Sequence, residues 1–181
     1  MCIRDSLSLV FADIEVPLVG GAKMFSPKIE GRILDSLDIQ GHETVLEIGT
    51  GSGYFTSVLA KLSQSVVTIE LDEQLSESAQ NKIKELNLNN ITFINDDALV
   101  YNFDNEQYDT IVVGCALPNK NENFFRLLKP GGKLFMVVGI IHQMQATLVH
   151  RTSKNDWQSK SLFETHLDYM QGTEPSVKFS F

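Results

Sequence analysis

Three glycines alternate directly after a short apolar run in Val45-Leu46-Glu47-Ile48-Gly49-Thr50-Gly51-Ser52-Gly53-Tyr54. An apolar run entering Gly49, Gly51 and Gly53 dictates a β-strand that turns through positive φ and lets the main chain approach a ligand with no Cβ in between. Phe55 to Leu62 then reads as a helix whose N-terminus faces that ligand. The dinucleotide fingerprint, which brings a pyrophosphate onto such a turn, needs a glycine one place later, where this chain has Tyr54. Glu47 argues against the anion as well. A carboxylate beside the turn repels a pyrophosphate and suits a cation, and S-adenosyl-L-methionine offers an ammonium and a sulfonium without any phosphate. Glu70 closes the next apolar run, Val66 to Ile69, at about the spacing where Rossmann-like folds place an acid on ribose hydroxyls. The pattern predicts a methyl-donor site.

The rest of the chain fits a fold able to carry that turn. Ser26-Pro27 opens a helix, with serine at the N-cap, proline at the first helical position, and Ile29, Ile33, Leu34 and Leu37 on one stripe. Gln40-Gly41-His42 breaks it. Strands over 44–48, 65–69 and 91–94 alternate with helices over 54–62 and 73–86, the βαβ rhythm of a parallel sheet. A strand over 110–113, a helix around 122–128, the turn Pro130-Gly131-Gly132 and a strand over 133–138 extend it. The rhythm then changes: 146–151 and 157–163, joined by the polar segment 152–156, read as an antiparallel hairpin at the sheet edge. The expected fold is α/β, a Rossmann-like, doubly wound, mostly parallel sheet with a C-terminal antiparallel hairpin. Met1-Cys2-Ile3-Arg4-Asp5-Ser6 shows no periodicity, so residues 1–12 are expected to be a leader and 13–181 one domain.

Composition narrows the function. A formal net charge of -8 and a pI near 4.9 leave no basic surface to neutralise a nucleic-acid backbone. Cys2 and Cys115 form neither a CxxC nor a Cys/His metal spacing, the histidines stand singly, and no metal site is indicated. No apolar run reaches the roughly 18 residues of a membrane span and no signal peptide opens the chain, so a cytoplasmic monomer is expected. Cys115, between Gly114 and Ala116 with no neighbouring cation to lower its pKa, reads as a packing residue rather than a nucleophile. Phe124, Phe125, Leu127 and Leu128 read as a core-facing helix side.

Taken together, the residues resemble the class I, seven-stranded S-adenosylmethionine methyltransferases, and more closely the protein-L-isoaspartate O-methyltransferase family. The marks are Val45 to Tyr54, Leu128-Lys129-Pro130-Gly131-Gly132, Val138-Gly139 ahead of Gln143, and the segment from Pro17-Leu18 through Gly20-Gly21 to Pro27, which sits where that family has its substrate loop. The resemblance implies carboxyl methylation of isoaspartyl residues in aged proteins. It implies a cofactor held by Glu47, Gly49, Thr50, Gly51, Ser52, Gly53, Tyr54, Glu70, Leu71, Asp97, Ala98 and Gly114, with Glu70 on the ribose hydroxyls and Asp97 on the adenine amino group. Adjacent Asp96 reads as a solvated turn residue. The family's loop pattern, Gly-Gln-Thr-Ile-Ser-x-Pro, meets Gly21-Ala22-Lys23-Met24-Phe25-Ser26-Pro27 here, so its serine falls on Phe25 and Ser26 stands one place late. Ser26 is then either the catalytic hydroxyl or a helix cap. A carboxylate acceptor is ionised near neutral pH and needs no general base. A small-molecule methyltransferase with an acceptor loop remodelled around Lys23, Met24 and Phe25, and a cofactor-binding module without catalysis, stay open beside the repair enzyme.

Overall fold

The computed structural model describes residues 12–104 and 107–175. Apart from Ala12, the expected leader lies outside the described residues, as does Cys2. From Pro27 to Asn95, helices and strands alternate. α1 (Pro27–Leu37) opens on proline, whose fixed φ suits a first helical position, and buries Ile33 and Leu37 while Ile29 and Leu34 pack beside them. It stops at Asp38, which takes a left-handed φ of 48° and donates its N–H to the Leu34 carbonyl. β1 (Thr44–Ile48), α2 (Tyr54–Leu62), β2 (Ser65–Glu70), α3 (Glu73–Glu85) and β3 (Ile91–Asn95) follow. β4 (Tyr108–Leu117), α4 (Glu122–Arg126), β5 (Leu128–Val138), β6 (Gln145–Arg151) and β7 (Trp157–Glu164) complete the order.

The strands form one seven-stranded sheet in the order β3-β2-β1-β4-β5-β6-β7. Pairing is parallel from β3 across to β5 and antiparallel for β5 with β6 and β6 with β7, which is the expected doubly wound sheet with its edge hairpin. Alternation along β5 divides the core: Leu134 and Met136 join the cluster with Phe124, Phe125 and Leu128, while Phe135 and Val137 join the one with Ile33, Leu37 and Phe55. The order in which strands are added to the sheet reverses between β1 and β4, which lie side by side and parallel. In open α/β sheets that switch point leaves a crevice beyond the carboxyl ends of the strands, and the glycine turn after β1 lies there.

Expected boundaries shift around β4 and β5. β4 runs to Leu117 rather than Val113, because its ladder with β5 resumes at Ala116 opposite Val137 after a register shift. α4 stops at Arg126, since Leu128 leaves the helix to pair with Tyr108. Pro130, Gly131 and Gly132 fall inside β5 rather than before it. A Cβ on Gly132 would lie 2.8 Å from the Asp109 carbonyl oxygen, so only glycine fits. Lys129 reaches Asp109 Oδ2 at 2.7 Å, and the Thr44 N–H and hydroxyl reach the same oxygen at 2.8 Å each. Burial alone would raise the Asp109 carboxyl, but the hydrogen bonds from Lys129 and Thr44 outweigh it and hold the group below the usual range. This motif therefore ties β1, β4 and β5 together at the end of the sheet opposite the crevice.

Candidate functional site

The glycine turn takes the conformation its residues dictate, with φ of 94° at Gly49, 54° at Gly51 and 80° at Gly53. Above it opens a cleft of about 580 Å³, lined from one side by Gly49, Gly51 and Gly114 and from the other by Glu70, Leu71, Asp97 and Ala98. Glu70, at the end of β2, accepts the Gly51 N–H on Oε2 at 2.9 Å and the Asp72 N–H on Oε1 at 3.1 Å. Its carboxylate thus both fixes the turn and faces the cleft with lone pairs to spare. Asp97 lies on the short turn after β3, where its Oδ1 accepts the Leu99 N–H at 2.9 Å.

Glu47 lies elsewhere than the sequence spacing suggested. Its side chain points beneath the turn and does not line the main cleft. Its Oε2 accepts the Thr56 hydroxyl at 2.6 Å and the Thr68 hydroxyl at 2.7 Å, both from fully buried side chains. Thr50 lies 2.6 Å from Thr68, and because the one Thr68 proton is committed to Glu47, Thr50 is the donor. Burial pushes the Glu47 carboxyl up to about 8 against the pull of the two hydroxyls, so near neutral pH it is a neutral acid rather than the negative charge expected. Glu47 shares a 40 Å³ cavity behind the turn with Thr50, Ser52, Phe25, Phe55 and Glu30. Glu30, buried on α1, is likewise pushed up to about 7.

Gly53 and Tyr54 line neither space. Gly53 is required for packing, since a Cβ there would meet the Ala79 Cβ on α3 at 2.9 Å. Ser26 occupies the N-cap position of α1, but only its carbonyl contributes, accepting the Ile29 and Glu30 N–H groups at 2.9 and 3.0 Å. Its hydroxyl makes no cap bond and it lines neither the main cleft nor the smaller cavities. Phe25 packs its ring edge-on against Phe55, 5.7 Å between centroids. Cys115 packs against the core while also lining the cleft, and burial followed by the nearby Glu70 charge pushes its thiol up to about 12. A thiol so hard to ionise suits packing and not attack on a substrate.

The loop before α1 roofs the cleft from Leu18 to Lys23. It closes as a small hairpin: Leu18 N–H donates to the Ala22 carbonyl at 2.7 Å and Met24 N–H to the Val16 carbonyl at 2.9 Å. Sequence reading missed the far wall. Asp168 to Gln171 line the cleft because Ala116 N–H donates to the Asp168 carbonyl at 2.9 Å and the Met170 N–H to the Ala116 carbonyl at 2.8 Å. Asp72 and Asp96 line it too, the latter assigned from sequence only to solvent. These residues carry no motif, and only the pairing with β4 brings the distant segment in.

A family model described as protein-L-isoaspartate(D-aspartate) O-methyltransferase matches residues 4–171. A protein-L-isoaspartate O-methyltransferase of Petrotoga mobilis is 35% identical over 137 residues, covering 75% of this chain and 64% of that protein. Protein-L-isoaspartate O-methyltransferase 2 of Pelobacter propionicus is 30% identical over 167 residues, 92% of this chain and 74% of that one. The chain thus spans less than two thirds of the first of these relatives. Among solved structures, a protein-L-isoaspartate O-methyltransferase superposes with a TM-score of 0.82 at 22% identity, covering 92% of this chain and 55% of that one. A Plasmodium falciparum chain described as an enzyme of the same kind, in complex with S-adenosyl-L-homocysteine, superposes with a TM-score of 0.75 at 21% identity over 87% of this chain and 79% of that one. No helix among the described residues is long and apolar enough to cross a membrane.

Proposed function

Because this chain belongs to the protein-L-isoaspartate(D-aspartate) O-methyltransferase family, we propose that it transfers the methyl group of S-adenosyl-L-methionine to the α-carboxylate of isoaspartyl residues in proteins or peptides. The observation that carries the reading is the cleft itself: a Cβ-free turn at a sheet switch point, walled by carboxylates, with a loop roofing it. Carboxylates at Glu70 and Asp97 are acceptors for ribose hydroxyls and an adenine amino group, and a donor cofactor without phosphate suits walls where, among the described residues, Lys23 is the only lysine or arginine. When bound, the cofactor would supply a sulfonium-activated methyl group to the acceptor carboxylate, which is already ionised near neutral pH and asks no general base of the chain.

The chain's own contribution is then alignment and exclusion of water. Gly49, Gly51 and Gly114 let the backbone approach the donor. Glu70 and Asp97 hold its nucleoside, and the loop from Leu18 to Lys23 shields the reacting centre. In this reading the protein works as a cytoplasmic monomer and takes no nucleic acid, its net charge of -8 opposing a phosphate backbone. Calorimetric titration with S-adenosyl-L-methionine, alongside tritiated-methyl incorporation into an isoaspartyl peptide, tests both halves. Glu70→Ala should weaken cofactor binding by about 1–3 kcal/mol, the cost of leaving a hydrogen-bonded site unpaired. Binding of NAD in place of S-adenosyl-L-methionine would overturn the reading.

A further inference from the structure

The acceptor in the proposed reaction is an anion, and the cleft that must admit it is acidic. Glu70, Asp72, Asp96, Asp97, Asp168 and Glu174 line it. A carboxylate entering such a space gains electrostatic energy only where a positive charge meets it. Among the described residues, Lys23 is the only lysine or arginine lining the main cleft, and with Gly114 it also lines two smaller cavities, one of them behind the glycine turn. One of these holds Glu30 and Glu47, whose burial raises both carboxyls above the usual range and so lowers the negative charge they add on that side near neutral pH.

Resting on that reading of the activity, we propose that Lys23 is the anchor for the acceptor carboxylate. The loop holds its backbone in place, with a bridge between Pro17 and Lys23 and hydrogen bonds on either side of it. The ammonium group is free to move. Its one ion pair among the described residues, with Glu15, is a loose 3.6 Å contact between side chains 45% and 43% exposed, and such pairs are readily exchanged for a better partner. Phe25, at the family's serine position, turns an apolar ring to Phe55 and offers no donor. Lys23 binds one carboxylate oxygen and leaves the other to accept the methyl group. The ester product is uncharged and loses the attraction, so the same contact that admits substrate favours release.

The test uses the full chain, the demethylated cofactor for binding and S-adenosyl-L-methionine for turnover, and a short synthetic peptide with blocked termini whose only charge is the α-carboxylate of its single isoaspartyl residue. Lys23→Ala should raise the peptide's KM and its calorimetric Kd by at least about tenfold, in line with the loss of a charge-assisted hydrogen bond. Cofactor affinity should stay within about twofold, Lys23→Arg should restore most of the peptide affinity, and KM should rise with salt in the wild type and less so in the alanine variant. Equal peptide affinity in wild type and Lys23→Ala, with the wild type active, overturns the anchor and leaves the activity standing. Lys23-dependent peptide binding without methyl transfer supports the anchor and overturns the activity. A wild type that neither binds nor methylates the peptide overturns both.

Discussion

At the residue scale the structure separates two neighbours in the loop before α1 that sequence left tied. Ser26 neither caps α1 through its hydroxyl nor reaches a cavity, while Phe25 fills the position where the family pattern has serine. Ser26→Ala should therefore leave both turnover and thermal stability near wild type. Phe25→Ser places a hydroxyl beside the 40 Å³ cavity and should raise isoaspartyl methylation; steady-state assays on the two variants check this, and a large loss in Ser26→Ala would return that hydroxyl to the reaction. Glu47 makes a second point at this scale. Its identity was legible, but its role was not, because Thr56 and Thr68 meet it only once β1 and β2 pair Glu47 opposite Thr68 and α2 closes over them. Burial raises its folded-state value to about 8 from the ordinary 4.5, so the folded protein keeps a proton that the unfolded chain gives up. Stability from this group is complete below the ordinary value and falls as pH rises toward 8, at about 1.4 kcal/mol per unit where only the unfolded chain has lost its proton. Glu30, raised to about 7, slopes the same way. Glu47→Gln keeps an oxygen for both threonine hydroxyls and removes the titration, so thermal unfolding followed across this pH range should show a shallower decline in the variant.

Elements were legible where local pattern decides them and shifted where long-range pairing does. β1 and α2 fall on the expected boundaries because strand alternation, the glycine turn and the helical stripe all lie within a few residues of one another. β4, α4 and β5 moved because a register shift in the ladder and the Leu128 pairing with Tyr108 depend on partners about twenty residues apart. The glycine turn itself serves two neighbours that sequence alone had merged into one ligand site. Gly49 and Gly51 face the cleft, whereas Gly53 starts α2 in the left-handed region at φ 80° and sets that helix against α3. Gly53→Ala should destabilise the fold by about 1–3 kcal/mol, from the strained φ together with the 2.9 Å approach to the Ala79 side chain. Denaturant unfolding measures it. The paired variant Gly53→Ala with Ala79→Gly should recover part of the loss, the part due to the clash, and retain the part due to φ; full recovery would mean that φ at this position costs nothing.

At the scale of the whole molecule, charge ties the fold to its ligands. A chain of net charge -8 concentrates carboxylates around a cleft whose floor is the sheet switch point, and in a partly enclosed space these charges act at shorter range and through a lower dielectric than on an open surface. The methyl donor carries a sulfonium that its demethylated product lacks, and the two are otherwise nearly alike in shape. The field of the cleft should therefore favour donor over product in affinity. Because the walls are carboxylates open to solvent, added salt should screen the preference: calorimetric Kd values for the two ligands should differ most at low ionic strength and converge as ionic strength rises past the point where the Debye length drops to about 8 Å. Neutralising Asp168→Asn, on the wall that the family motifs do not mark, should narrow the gap at low salt without altering the nucleoside contacts proposed for Glu70 and Asp97. A donor-to-product affinity ratio that stays constant across salt would mean that hydrogen bonds, and not the acidic field, decide between the two ligands.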